Sequence, residues 1–86
     1  MFMELYFITF RSVTLAQRGE KALREAGLGC TLARTPRWME EKGCGYCLRF
    51  KCQDILPWVD ILRKRGIPFR RVYLRDMDGQ MGEVEL

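Results

Sequence analysis

Residues 46–52, Tyr46-Cys47-Leu48-Arg49-Phe50-Lys51-Cys52, decide the fold. Tyr46, Leu48 and Phe50 alternate with Cys47, Arg49 and Lys51, which is the period of a strand with one face in a core and one in water. The phase matters as much as the period, because a slip of one residue exchanges the two faces. With Tyr46, Leu48 and Phe50 inside, the Arg49 guanidinium stays hydrated. The opposite phase would bury it unpaired, at a high cost in free energy.

Working outward toward the N-terminus, residues 36–44 (PRWMEEKGC) show no period and read as a loop. Before them, Cys30–Arg34 is a short strand ended by Pro36, which has no N–H to give to a ladder. Leu5–Phe10 is apolar and β-prone, a first strand. Between these strands Ser12 is an N-cap, and Ala16, Gly19, Leu23 and Ala26 follow at helical spacing. Glu20 and Arg24 form an i,i+4 pair, and Gly27 stops the helix.

On the C-terminal side, Asp54 caps a second helix in which Ile55, Val59 and Leu62 share a face. Pro57 falls in its first turn, where a missing N–H costs little. Gly66 and Pro68 end that helix. Phe69–Arg75 is a fourth strand, with Val72 and Leu74 inward and Arg71, Tyr73 and Arg75 outward.

The order βαββαβ predicts an α+β, ferredoxin-like sandwich over residues 1–75. Its four-stranded antiparallel sheet has the spatial order 4-1-3-2 and carries both helices on one face. Residues 76–86 form a tail in which Asp78-Gly79 is a turn signal, so the tail either folds back as a short hairpin arm or frays.

Composition narrows the function. Eighty-six residues allow one core. The opening MFMELYFITF carries Glu4 and lacks both a basic n-region and a small-residue cleavage site, so it reads as a strand rather than a signal peptide. No apolar run reaches the roughly 18 residues a spanning helix needs. The expectation is a cytoplasmic protein with no membrane partner, whose thiols stay reduced. Histidine is absent, which removes the commonest general base and metal ligand. The net charge of +4 is an ordinary solubility charge and gives little reason to expect nucleic-acid binding.

Four cysteines invite a zinc site, with Cys44-Gly-Tyr-Cys47 as half of it. The strand argues otherwise. Cys52 lies eight residues from Cys44, about 26 Å at strand rise, and antiparallel pairing is expected to put Cys30 beside Cys52 and away from Cys44. We expect no metal and no cofactor, with Cys30 and Cys52 packing as small hydrophobes. A thioredoxin-like arrangement lacks its helix, because here the pair opens a strand and no helix dipole acts on it. A reversible Cys44–Cys47 disulfide stays open as an alternative. Cys44 sits between Gly43 and Gly45 where loop meets strand. The glycines remove crowding, and Arg34, Arg37 and Lys42, near in sequence, favour a thiolate.

A second alternative is an RNA-binding module of the same element order. Lys42–Arg49 overlaps the octamer that displays stacking aromatics, and Leu5-Tyr6-Phe7 resembles the hexamer. That octamer would display Cys44 and Tyr46 and bury Arg49, the costly phase.

Thr35-Pro36-Arg37, six further residues, Cys44-Gly45 and then Tyr46–Phe50 together resemble the selenium/sulfur carrier-like family of bacteria and archaea. So does the first helix, with Ala16, Glu20, Lys21, Leu23 and Gly27 after a strand ending in Thr9-Phe10. The resemblance covers roughly residues 5–74. It implies that Cys44 carries sulfur or selenium, that Thr35, Pro36, Arg37, Gly43 and Gly45 frame it, and that the protein is an accessory carrier rather than a stand-alone enzyme. Its partners would then be donor and acceptor proteins. The sequence departs from the family in having Cys47 where a small apolar residue is usual, and Trp38, Glu40, Glu41 and Lys42 where small hydroxyl residues are common. An open sheet face bearing Arg49, Lys51, Arg71, Tyr73 and Arg75 would serve such partners, or a second copy of the chain, as a docking surface.

Overall fold

The computed structural model describes residues 3–35, 45–76 and 78–85. Its elements are β1 (Glu4–Phe10), α1 (Val13–Glu25), β2 (Thr31–Arg34), β3 (Tyr46–Cys52), α2 (Leu56–Lys64), β4 (Val72–Arg75) and β5 (Met81–Val84). The strands form one antiparallel sheet in the order β2-β3-β1-β4-β5.

The phase of β3 is the expected one. Ile8 faces Leu48 and Tyr6 faces Phe50 across the β1–β3 ladder. Ile8, Phe10, Leu48 and Val72 share one core with Ala16, Leu23, Val59 and Leu62, so both helices cover the same face. Arg49 is exposed.

Five strands replace the expected four. β5 runs along β4 from Val72↔Val84 to Arg75↔Met81. The turn is tied by Asp76, whose carboxylate accepts the N–H groups of Asp78 and Gln80, each at 2.9 Å. Gly79 supplies the positive φ of 82° that this reversal requires. Of the two outcomes that the Asp78-Gly79 turn signal leaves for the tail, the hairpin arm is the one formed; Met81-Gly82-Glu83-Val84 has no strand pattern of its own, being short with only Val84 even half-buried.

The helix signals act locally as read, with small shifts. Ser12 caps α1, its hydroxyl accepting the Leu15 N–H at 3.3 Å. Gly27, at φ 82°, lets the chain turn so that the Leu28 N–H reaches the Leu23 carbonyl at 2.8 Å. Ala26, expected on the buried face, is instead the exposed C-cap. At α2 the N-cap position is Ile55, and Asp54 caps from one residue outside, accepting the Leu56 N–H at 3.0 Å. Trp58 joins the core and stacks on Phe50 with ring centroids 3.8 Å apart.

The strand expected from Phe69 begins at Val72. Before it, Thr9 faces two residues at once: its N–H donates to the Arg71 carbonyl and its carbonyl accepts from the Arg70 N–H, both at 2.8 Å. The Thr9 hydroxyl accepts the displaced Arg71 N–H at 3.0 Å. One extra residue on β4 against one on β1 is a β-bulge.

Gly19 sets the spacing between helix and sheet. A Cβ there would lie 3.0 Å from the Phe10 ring and 3.2 Å from Leu48 Cδ1. Both neighbours are fully buried and have little room to move. Gly19→Ala gains about 0.5–1 kcal/mol of helix propensity but overpacks the core at about 1–3 kcal/mol. We expect a net loss and a fall in Tm of several degrees by calorimetry, larger for Gly19→Val. A stabilised Gly19→Ala protein would contradict this packing.

Candidate functional site

The segment singled out by the sequence starts at Thr35 and returns at Gly45. These two residues are joined, the Thr35 N–H donating to the Gly45 carbonyl at 3.0 Å just beyond the Arg34↔Tyr46 pair. The ends of the segment are thus fixed at one end of the sheet, beside Phe10, which pairs with Tyr46. Pro36, Arg37, Gly43 and Cys44 lie outside the described residues, as do Trp38, Glu40, Glu41 and Lys42. Of the sequence-derived site, the structure describes Thr35, Gly45 and Cys47.

Cys47 occupies the sheet face opposite the helices, as the alternation requires, but it is not in water. It is 1% exposed, with Phe7 and Tyr73 in a second small cluster flanked by Leu5 and Ala33. Its short side chain sits in a cross-strand row between Ala33 on β2 and Thr9 on β1, where taller neighbours overshadow it. The expectation of a solvated face is corrected at its centre: Phe7 and Tyr73, paired across β1 and β4, are also buried. Arg49, Lys51, Arg71 and Arg75 remain exposed. A sequence signal for this existed. β1 is apolar on both of its parities, as befits a central strand, and the outward Leu5 and Phe7 belonged in the cluster from the start. Thr9 was missed, although it is buried on this face and holds the bulge.

The Thr35 hydroxyl oxygen is buried and makes no hydrogen bond of good geometry among the described residues. It lies close enough to the Cys47 thiol to stabilise the thiolate. The thiol itself points at the Arg34 carbonyl, 3.9 Å away.

Burial dominates the electrostatics of all three described cysteines. It pushes the Cys47 thiol up, with the Thr35 hydroxyl and Arg49 pulling the other way. It lifts Cys30 to about 11, with Glu20 adding and Arg24 opposing. Cys52 also reaches about 11, through burial and then the Asp54 carboxylate. Each is a protonated thiol near neutral pH, poorly suited to nucleophilic attack. Cys30 also departs from its expected place beside Cys52. The β2–β3 ladder pairs Thr31 with Arg49, so Cys52 lies beyond its end and faces Glu4 on β1. Among the described residues no group of three His, Cys, Asp or Glu side chains converges on a common point. No helix among them is long and apolar enough to cross a membrane.

The described residues form an α+β fold of two helices and a five-stranded antiparallel sheet, in which the ends of the Thr35–Gly45 segment are joined between β2 and β3. Over residues 5–74 the sequence matches the family described as "Putative Se/S carrier protein-like", and the chain belongs to that family. No curated protein and no solved structure shows significant similarity to it.

The raised thiols carry a pH dependence. A group whose folded pKa exceeds its unfolded value stabilises the fold below the unfolded pKa and loses that contribution as pH rises through the folded one. For Cys30 and Cys52 the window runs from 9.0 to about 11. The urea midpoint of the wild type should therefore fall between pH 9 and 11 more steeply than that of a Cys30→Ala/Cys52→Ala variant. Parallel curves would show that the two thiols are not coupled to folding.

Proposed function

We propose that this protein is a sulfur or selenium carrier and that Cys44 is its carrier thiol. The observation that supports this most strongly is the contrast among its cysteines. Cys30, Cys47 and Cys52 are half-buried or buried thiols with raised pKa, and the family's function asks for one reactive thiol. Cys44 remains, set between two glycines and next to the anchored Gly45.

The chemistry needs no histidine, metal or cofactor. The Cys44 thiolate attacks the terminal sulfur of a donor protein's persulfide. A new S–S bond forms at Cys44, the donor's S–S bond breaks, and the donor leaves as a thiolate with the bonding pair. An acceptor thiolate then attacks the outer sulfur and releases Cys44 as a thiolate, with no net oxidation. Thr35, Pro36, Arg37, Gly43 and Gly45 frame the thiol. The ferredoxin-like element order, extended by β5, provides the scaffold. The exposed arginines and lysines of the open face form a docking surface for donor and acceptor proteins or a second copy of the chain, in a cytoplasmic setting.

A dithiol role for Cys44 and Cys47 fits less well, since Cys47 is 1% exposed with a raised pKa. An RNA-binding role draws no support from Tyr46, which packs against the helix-side core instead of the open face.

Intact-mass measurement after exposure to a persulfide donor, or to its selenium analogue in which selenium is the outer atom of an S–Se bond, tests the proposal. Wild type, Cys30→Ser and Cys52→Ser should each gain the donor atom, and Cys44→Ser should gain none while keeping its circular dichroism spectrum. Cys47→Ser should load like wild type unless the second thiol resolves the persulfide as an internal disulfide. Loading of Cys44→Ser at the wild-type level would refute the carrier role of this residue.

A further inference from the structure

We propose that the open sheet face docks an acidic partner protein, held by Arg49, Lys51 and Arg75 around an apolar centre at Leu5. The ladder register puts these residues together. Lys51 on β3 and Arg75 on β4 are the two cross-strand neighbours of Leu5, and Met81 on β5 follows Arg75 in the same row. The next row runs Thr31, Arg49, Phe7, Tyr73 and Glu83. Two strand spacings separate Lys51 from Arg75, about 10 Å, and one pleat separates Lys51 from Arg49, about 7 Å.

All three cations are exposed, and their side chains form no ion pair among the described residues. The one carboxylate that the described strands place on this face, Glu83, stands on the outermost strand, 3.7 Å from Arg71. The centre of the face is therefore basic, with no carboxylate of its own to balance it.

Charge complementarity selects the occupant. A second copy would set the same cations against themselves across a two-fold interface, which costs affinity. A single-stranded nucleic acid would need ring faces on which its bases stack, and Phe7 and Tyr73 are only 8% and 7% exposed. What stands beside the charges is apolar and without rings. Leu5 is half-buried, Met81 in its row is 38% exposed, and Met3, two residues ahead of Leu5, is 58% exposed. Methionine adapts to an irregular surface, and with arginine it is enriched where proteins meet. The partner that fits is a protein surface carrying carboxylates around an apolar side chain.

The inference rests on the carrier reading for what that partner does, since a carrier must dock on its donor and acceptor. β3 connects the two places. From Gly45 to Lys51 the chain advances six residues, about 20 Å. An interface of about 800 Å² per partner is roughly 30 Å across. One partner on this face therefore also reaches the joined ends of the Thr35–Gly45 segment.

Amide NMR titration with a poly(Glu,Tyr) copolymer, a carboxylate-rich chain with apolar side chains, tests the face at constant ionic strength. Saturable shifts should concentrate at residues 5–7, 49–51 and 73–75. Lys51→Glu and Arg75→Glu should each weaken binding about tenfold, a charge contact being lost and a repulsion gained. Arg18→Glu, the same charge change at an exposed site on α1, should bind as wild type. All three substituted side chains are exposed, so each variant should keep the wild-type circular dichroism spectrum. A small-molecule persulfide donor needs no docking, so Lys51→Glu and Arg75→Glu should still load from it. Cys44→Ser should bind the copolymer as wild type does, so a failed face and a failed carrier thiol are told apart. Four results would overturn the proposal: no saturable shift on the face, equal weakening by Arg18→Glu, binding of poly-uridylate at least as tight as that of the copolymer, or self-association that Lys51→Glu abolishes.

Discussion

The register between β1 and β3 is the constraint on which everything else rests. Pairing Ile8 with Leu48 and Tyr6 with Phe50 gives the helices an apolar floor. The same register sends Cys47, Arg49 and Lys51 to the other side. It also fixes the end of the sheet: with Phe10 opposite Tyr46, the Thr35–Gly45 closure, the start of α1 and the Thr9 bulge all gather there. A slip of one residue would bury Arg49 and expose Leu48, and among the described residues no carboxylate is buried in the core to receive the charge.

Three devices hold that register against slippage. Gly19 lets α1 settle onto Phe10 and Leu48 at a distance where a Cβ would be crowded by both side chains. The Phe50–Trp58 stack, with Tyr6 also stacked on Phe50, ties β1, β3 and α2 together. The Thr9 hydroxyl locks β1 to the start of β4. Surface ion pairs such as Arg65–Glu25, half-exposed at 3.3 Å, join the helix ends but contribute at most about 1 kcal/mol.

Much of this was legible in the sequence because strand alternation and helix caps are local. Tyr46–Cys52, Ser12 and Gly27 could be read without knowing their neighbours. What stayed open or escaped reading was non-local. β5 exists because β4 offers it an edge, not because Met81–Val84 has a pattern of its own. The burial of Cys47 depends on which residues stand in its cross-strand row, Ala33 and Thr9, and so on a register that sequence alone does not print. Cys30 was misplaced relative to Cys52 for the same reason. Arg70 and Arg71 looked like ordinary strand residues, and the bulge that ties both of their N–H groups to Thr9 depends on that same register. The candidate thiol was visible through its glycines and its family motif, and its contrast with the other three cysteines needed their burial.

The sheet ends on both sides in strands of four residues, β2 and β5. An incoming strand could add only a short ladder to either, and on the β5 side it would meet exposed Glu83 and the weakly β-forming Gly82. Strand addition, the route by which many sheets bind other chains or aggregate, is therefore a poor one here. Contacts made through the faces and the loop end are free to form and break quickly. Under the proposed carrier role, in which the protein meets one partner and then leaves for another, edges that do not hold on are an advantage.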